Sequence, residues 1–552
     1  MKTRRFLSIA IAMLLMLTAA ASADGVVYND VGVTPVVQEG DVTLTVAMTQ
    51  SADVVDYDTN WLTGYLSEVL GGKVVPDVWP ATDAETKLTL MVNSGNELPD
   101  ILTFGATNWS TRNQYADAGA LVCLDEYFAE GSDYSKLFYQ RCAEVGLDPA
   151  TVLGQIRSLD GSLYAFPLYD AKLPNIYCNR AYMNQDFLDA LGLTAPTTMD
   201  ELTEVLKAFR DNDPNGNGIA DEIPLTGMNE WNNNNNALTW LMNMFVYKDG
   251  SKYLFDRLDN TDGKLDVVYD KDGYREFLKY VNMLVDEKLL DIASFTQNIS
   301  EMRATLQADV QTVGMVCGSA NGFGPNIGSW QPIEQPAGLD GLKQVTYWNQ
   351  NMSSGWVITR DCENVEAAVK LAMLGYDGDK MGLIFRFGEP GVDWRDAEEG
   401  EVSVFKESGI APRLLCLNVT WATVSNKSWQ NTVFPYLSGE NTHIEVFDGN
   451  ELYGERIHGR SVSMNMQYAP AAEYTVGTLL YTEEEQDEWN EARTTLQTYV
   501  QEATNLFCVG QMDPNSDTDW QSYLDELNNL QYKELLAVDQ AAYDRMYGSA
   551  AN

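Results

Sequence analysis

Apolar and polar positions first alternate with a period of two at "VTLTVAM" (Val42–Met48), which predicts a strand. The stretch "YDTNWLTGYLSEVLGG" then places Trp61, Tyr65, Leu66 and Val69 at helical spacing and stops at Gly71-Gly72. "KVVPDVW" predicts a second strand, and "DAETKLTLMVNSGNELPD" a helix closing at Asn93-Ser94-Gly95. "ILTFG" follows as a short, buried strand. Strands alternating with helices indicate a parallel sheet. Ligands of such sheets sit at the carboxyl ends of strands, here Thr49–Asp53 and Gly105–Trp109.

A second block opens near "LYAFPLYDAKLPNIYCNRAYM" and continues through a helix, "TMDELTEVLKAFR", to "NALTWLMNMFVY". A hairpin-like "YLFDRLDNTDGKLDVVYD" precedes the long helix "GYREFLKYVNMLVDEKLL". "VGMVCGSA" reads as a strand, "YWNQNMSSGWVIT" leads into another, and "NVEAAVKLAMLGY" reads as a helix. The last 80 residues are mostly helical in pattern and rich in acids. The pattern as a whole is α/β.

Before all of this the chain has Lys2, Arg4 and Arg5, an apolar Phe6–Leu17 and the small residues Ala21-Ser22-Ala23. These are the parts of a signal peptide, and the apolar core is too short to span a membrane. Cleavage after Ala23 leaves 529 of the 552 residues outside the cytoplasm, enough for two or three lobes. No Cys lies near the end of the apolar core, so lipid attachment there is not expected. Residues 24–40 read as a spacer. Losing the three basic residues takes the net charge from −44 to −47, a field that repels nucleic acid and anionic lipid. The seven Cys sit mostly in apolar runs without a CxxC pair, and the two His leave no material for a His triad or multi-His metal centre. Buried, unpaired thiols are the expectation.

One segment is unusually rich in oxygen: "DNDPNGNGIADEIP" (211–224). In the EF-hand pattern ligands come from loop positions 1, 3, 5, 7, 9 and 12, with Gly at 6. Starting at Asp211 gives Asp211, Asp213, Asn215, Gly216 and Glu222, a full match, but leaves Ile219 at position 9. Starting at Asp213 gives Asp213, Asn215, Asn217, Gly218, the Ile219 carbonyl and Asp221, with Glu222 beside it. The second register is preferred because it puts Ile where only a backbone oxygen is needed. Hard oxygens without His or Cys suit a structural Ca²⁺.

The surroundings of this loop carry a resemblance. "NRAYMNQDFLDALGLTAPTTMDELTEVLKAFRDNDPNGNGIADEIPLTG" is similar to the signature block of large family 1 extracellular solute-binding proteins of ABC importers, including oligosaccharide- and alginate-binding members. "LMVNSGNELPDIL", "QYADAGALVCLDEY", "GYREFLKYVNMLVDEKLLD", "FRFGEPGVDW", "DPNSDTDWQSYLDELNNL" and "QAAYDRM" resemble further landmarks in the same order. The resemblance implies a two-lobed periplasmic-binding-protein-like fold, each lobe a mostly parallel sheet flanked by helices, with solute held in the cleft. It implies lobe 1 beginning at 41–165, lobe 2 at 166–345, crossing segments and a return to lobe 1 at 346–430, and a helical 431–552 packing mainly on lobe 2. It also implies calcium in the second register, ABC permease subunits as partners and an extracytoplasmic address. The chain is expected to be a monomer.

Sugars present apolar ring faces and many hydroxyls, so their sites pair aromatic rings with carboxylates, amides and Arg. The candidates at strand ends and crossings are Trp109, Tyr169, Asp170, Trp231, Trp348, Asn349, Arg386 and Trp394. Each has a plainer reading as core packing or an ion-pair partner. The leading function is a non-catalytic carbohydrate receptor. A secreted carbohydrate-active enzyme with paired carboxylates and a peptide-binding receptor are the rivals.

Overall fold

The computed structural model describes residues 25–177, 179–229, 236–246, 258–261, 263–318, 320–347, 352–405, 409–421, 424–430, 434–447, 454–469, 476, 479 and 481–547. The chain divides into two compact units. Unit 1 comprises 1–170, 352–395 and 416–442; unit 2 comprises 171–351, 396–415 and 443–552.

Unit 1 is built on a four-stranded sheet. The strand Thr43–Thr49 lies at its centre, parallel to Lys73–Trp79 on one side and to Ile101–Leu102 on the other. Val357–Ile358 returns antiparallel at the edge beside Ile101–Leu102. The helix Trp61–Leu70 buries Leu62, Leu66, Val69 and Leu70, and the left-handed Gly71 ends it where the pattern placed the stop. Helix Ala84–Ser94 likewise ends on a left-handed Gly95 and sets Leu88 and Val92 into the core beneath Trp79 and Phe104. The stretch read as a spacer carries structure of its own. Val27–Tyr28 pairs with Val37–Glu39, Val36 and Val37 are buried, and Lys370 Nζ donates to Asn29 O at 2.9 Å.

Unit 2 has a mixed four-stranded sheet ordered Trp330–Pro332, Ala181–Asn184, Val313–Cys317, Ile223–Thr226. Only Val313–Cys317 with Ile223–Thr226 is parallel among these pairs. Helix Met199–Asp211 buries Leu202, Val205, Leu206 and Phe209, the spacing of one helical face, and its N-cap Thr198 accepts from Glu201 N. Its ring Phe209 packs on Gly314 of the central strand. The hairpin Leu258–Thr261 with Lys264–Val267 and the helix Asp272–Asp286 form where expected. The C-terminal helices Glu483–Cys508, Asp517–Asn529 and Tyr532–Tyr547 complete this core through Val500, Phe507, Trp520 and Tyr523, on Tyr274 and Phe277.

Among the described residues six Cys are free thiols: Cys142, Cys317, Cys362 and Cys508 are buried, Cys123 is exposed and Cys416 is intermediate. Cys178 lies outside the described residues. No described helix is long and apolar enough to cross a membrane.

Candidate functional site

The site in unit 1 starts from a segment that only glycines allow. A Cβ on Gly375 would lie 1.7 Å from Pro435 O, and Gly355 and Gly382 face Pro435 and the Tyr436 ring at 3.0 Å. The chain at 434–438 therefore sits directly on the helices below it. Tyr169 N donates to Tyr436 O (2.9 Å), Ser438 N to Tyr169 O (2.8 Å), and Arg141 Nε to Leu437 O (2.8 Å). This ladder puts Asp170 beside Tyr436 and Ser438. The Tyr436 hydroxyl donates to the Asp170 carboxylate, and Ser438 Oγ reaches it at 3.5 Å. Burial drives the Tyr436 hydroxyl well above its ordinary range, Asp170 adds to this, and Arg386 opposes it.

Arg386 reaches the same place from helix Lys380–Phe387. It stands four residues after Gly382, hence on the same helix face, above the ring that Gly382 admits. Its guanidinium carbon lies 4.9 Å from the Trp421 ring centroid, within cation–π range. Thr420 Oγ1 donates to Arg386 O at 3.1 Å and ties the loop bearing Trp421 to the helix end. The Arg386 Nε is buried without a hydrogen-bond partner. Acceptor, cation and aromatic face thus meet in one cluster. A sugar hydroxyl can donate to Asp170 and accept from Arg386, while a ring edge or face meets Trp421.

The expected residues fall out differently. Tyr169, Asp170 and Arg386 come together; Tyr169 contributes backbone to the ladder. Trp109 opens the helix Trp109–Asp117 and donates its indole N–H to Arg157 O at 2.7 Å, with the ring half-buried. Trp394 is 4% exposed and donates its N–H to Gly388 O at 3.0 Å, a packed ring with no face presented to solvent. Trp231, Trp348 and Asn349 lie outside the described residues. Trp421, Tyr436 and Arg112 did not emerge from sequence reasoning. Trp421 alone carried a signal, an aromatic among polar residues in "NVTWATV". Arg112 is buried, has no ion pair among the described residues, and donates to Ala106 O, Thr107 O, Ser354 Oγ and Ile156 O. Burial lowers its pKa to about 10, and it holds the loop after the strand Ile101–Leu102 in place.

In unit 2 the oxygen-rich loop is wound on itself. Asp213 Oδ1 accepts from Asn217 N (3.1 Å) and Oδ2 from Gly218 N (2.8 Å), while Asn215 Oδ1 accepts from Asn217 N (2.9 Å). Asn217 Oδ1 accepts from Ile219 N, and its Nδ2 donates to Asp221. Gly216 and Gly218 take φ of 69° and 76°, a backbone that a Cβ disfavours. Asp211, by contrast, ends the preceding helix and pairs with Arg210 at 2.6 and 2.9 Å. Both Glu222 carboxylate oxygens are buried without a hydrogen-bond partner. Burial and the neighbouring Asp221 and Asp213 push its pKa up. Among the described residues no group of three or more His, Cys, Asp or Glu is gathered as a metal centre. The loop's donors are a mixture of carboxylates, amide oxygens and a carbonyl, which is the chemistry of a hard-cation loop, and the orphaned Glu222 is the group a cation would satisfy.

Residues 63–372, more than half of the chain, match the family model for bacterial extracellular solute-binding proteins. The chain belongs to this family. It is 25% identical over 501 residues, 84% of this chain and 83% of the relative, to the fructooligosaccharide ABC transporter substrate-binding protein FusA of Streptococcus pneumoniae. The solved structure of FusA in complex with kestose superposes with a TM-score of 0.71 at 22% identity, covering 92% of this chain and all of that one. A FusA EF-hand mutant in complex with fructo-nystose gives 0.69 at 21% identity, over 92% and 100% of the two chains. A solute-binding protein of Bifidobacterium longum infantis, described as human-milk-oligosaccharide-binding and ABC-transporter-associated, gives 0.68 at 19% identity, over 92% and 99%. At these identities the structural likeness establishes the two-lobed α/β fold. Family membership places the chain's work outside the cytoplasm.

Proposed function

We propose that this protein is a non-catalytic receptor that captures an oligosaccharide and delivers it to an ABC permease, after export and cleavage behind Ala23. The observation that carries this reading is the cluster of Asp170, Tyr436, Arg386 and Trp421. It offers a carboxylate acceptor, a guanidinium whose buried Nε has no hydrogen-bond partner, and an aromatic face, with no nucleophile–base arrangement among these four residues. FusA, a binding protein for fructooligosaccharides, is the relative that supports an oligosaccharide as the solute. Tyr169, Trp109, Trp231, Trp348 and Asn349 are the further residues we assign to the solute; Trp394 we assign to packing.

We further propose that Asp213, Asn215, Asn217, the Ile219 carbonyl, Asp221 and Glu222 hold a structural Ca²⁺. The ion would supply charge neutralisation for three acids on one short loop and fix the approach to the strand Ile223–Thr226. The bidentate pairing of Asp211 with Arg210 supports the register starting at Asp213.

The test is thermal shift against fructooligosaccharides, other neutral oligosaccharides, uronate oligosaccharides and peptides, with product analysis of each mixture. A stabilising oligosaccharide recovered intact is the expected result. Turnover would replace the receptor by an enzyme, and a peptide-only shift would move the solute class.

A further inference from the structure

Arg112 is 1% exposed, and no described acid pairs with it. A cation taken out of water without a carboxylate costs folding free energy, and an apolar side chain of similar volume would avoid that cost. The guanidinium instead reaches three separate segments of unit 1. From the helix Trp109–Asp117, its Nη1 divides its donation among Ala106 O (3.4 Å), Thr107 O (3.2 Å) and Ser354 Oγ (2.7 Å), and its Nη2 donates to Ile156 O (3.0 Å). Arg spreads its donors over a planar fork, whereas the ammonium of Lys is a single point.

Ser354 is the contact that leads to the solute cluster. The strand Ser353–Ser354 pairs antiparallel with Pro167–Leu168, with Ser354 opposite Pro167. Around this pair Ser353 Oγ donates to Leu168 O (3.1 Å), Gly355 N to Phe166 O (2.8 Å) and Phe166 N to Trp356 O (3.0 Å). A shift of 353–356 therefore carries 166–168 with it. The two strands form a sheet of their own, and an isolated pair is marginal without support from outside. Arg112 supplies that support on Ser354, and the Tyr376 hydroxyl supplies it by donating to Pro167 O (2.8 Å). Asp170 stands two residues beyond Leu168, and the intervening Tyr169 is held through its backbone to Tyr436 and Ser438.

We propose that Arg112 is a positioning residue for the solute cluster, setting the place of the Asp170 carboxylate through Ser354 and the paired strands; this rests on the receptor reading above. The cost of a buried, acid-free cation is explained by the three segments it fixes at once, which a neutral or single-point side chain cannot hold.

The experiment titrates a fructooligosaccharide mixture, or the member of the thermal-shift panel that stabilises the parent, into Ser354→Ala and Arg112→Lys, each alone and combined with Asp170→Asn. In the parent background each substitution is expected to weaken binding about tenfold. In the Asp170→Asn background the same substitutions should change affinity by less than about twofold, because the group they position is already gone. A residue that only stabilises the fold would lower the melting temperature with affinity unchanged, or weaken binding equally in both backgrounds, and either result would overturn the proposal. Arg112→Lys binding like the parent would also overturn it, since charge without the fork would then suffice. If Arg112→Lys does not fold, Ser354→Ala, which removes a single hydroxyl, carries the test by itself. Asp170→Asn alone binding like the parent would instead overturn the cluster reading, so the two failures are distinct.

Discussion

In the proposed receptor Asp170, Arg386 and Trp421 would act on a solute through different physics, so their removal should be read separately. Asp170→Asn keeps the shape but removes the charge that strengthens a sugar hydroxyl's donation. The expected loss is about 1.5–3 kcal/mol of binding free energy by calorimetry, with the melting temperature near that of the parent. Trp421→Ala removes the ring under Arg386 and should weaken binding by about 1 kcal/mol or more. Either variant binding like the parent would remove that residue from the site. The thiols allow a check of packing at the same scale. In the native protein a small alkylating reagent should modify Cys123 first and Cys416 more slowly. Cys142, buried and with its thiol pushed up to about 12, should stay unmodified until denaturant is added, as should Cys317, Cys362 and Cys508. Rapid native labelling of these four would contradict the core described above.

Among the elements, the segment 434–438 and the loop 213–222 invite the sharpest tests. Gly375→Ala drives a methyl into Pro435 O, which backbone cannot evade cheaply. The expected destabilisation is about 3 kcal/mol, the upper end for overpacking, with weaker sugar binding because Tyr436 and Asp170 shift together. A variant melting like the parent would mean that the segment moves freely. For the loop, calcium bound only by the folded state raises stability with the logarithm of its concentration. Melting should therefore fall when a chelator is added and recover with Ca²⁺ but not with Mg²⁺. Glu222→Gln should shrink that calcium-dependent shift, while Asp211→Asn should leave it unchanged. Equal melting with and without chelator, together with no calcium by metal analysis, would rule the ion out.

For the whole molecule, a net charge of −44 opposes self-association, so sedimentation at physiological salt should report a monomer with and without oligosaccharide. A dimer that tightens as salt rises would show that this repulsion is overcome by apolar contact between copies.

How much of this was legible before folding depends on whether the cause is local. The helix Met199–Asp211 was readable because Leu202, Val205, Leu206 and Phe209 repeat at the helical period and Thr198 caps it. The strands Thr43–Thr49 and Lys73–Trp79, and the stops at Gly71 and Gly95, were readable for the same reason: period and turn chemistry act over a few residues. The oxygen-rich loop was legible because its candidate ligands lie within ten residues of one another. The proposed solute cluster was only half legible. Asp170 and Arg386 stood out as polar groups at junctions, but Tyr436 and Trp421 did not, and Trp394 was drawn from the core. Gly355, Gly375 and Gly382 look like ordinary glycines until Pro435 and Tyr436 arrive from more than fifty residues away. Local pattern thus determined the elements, the loop chemistry and the family. Tertiary structure alone decided which distant side chains face one acceptor and which rings are packing, because those contacts are set by close approach between segments whose spacing along the chain carries no period.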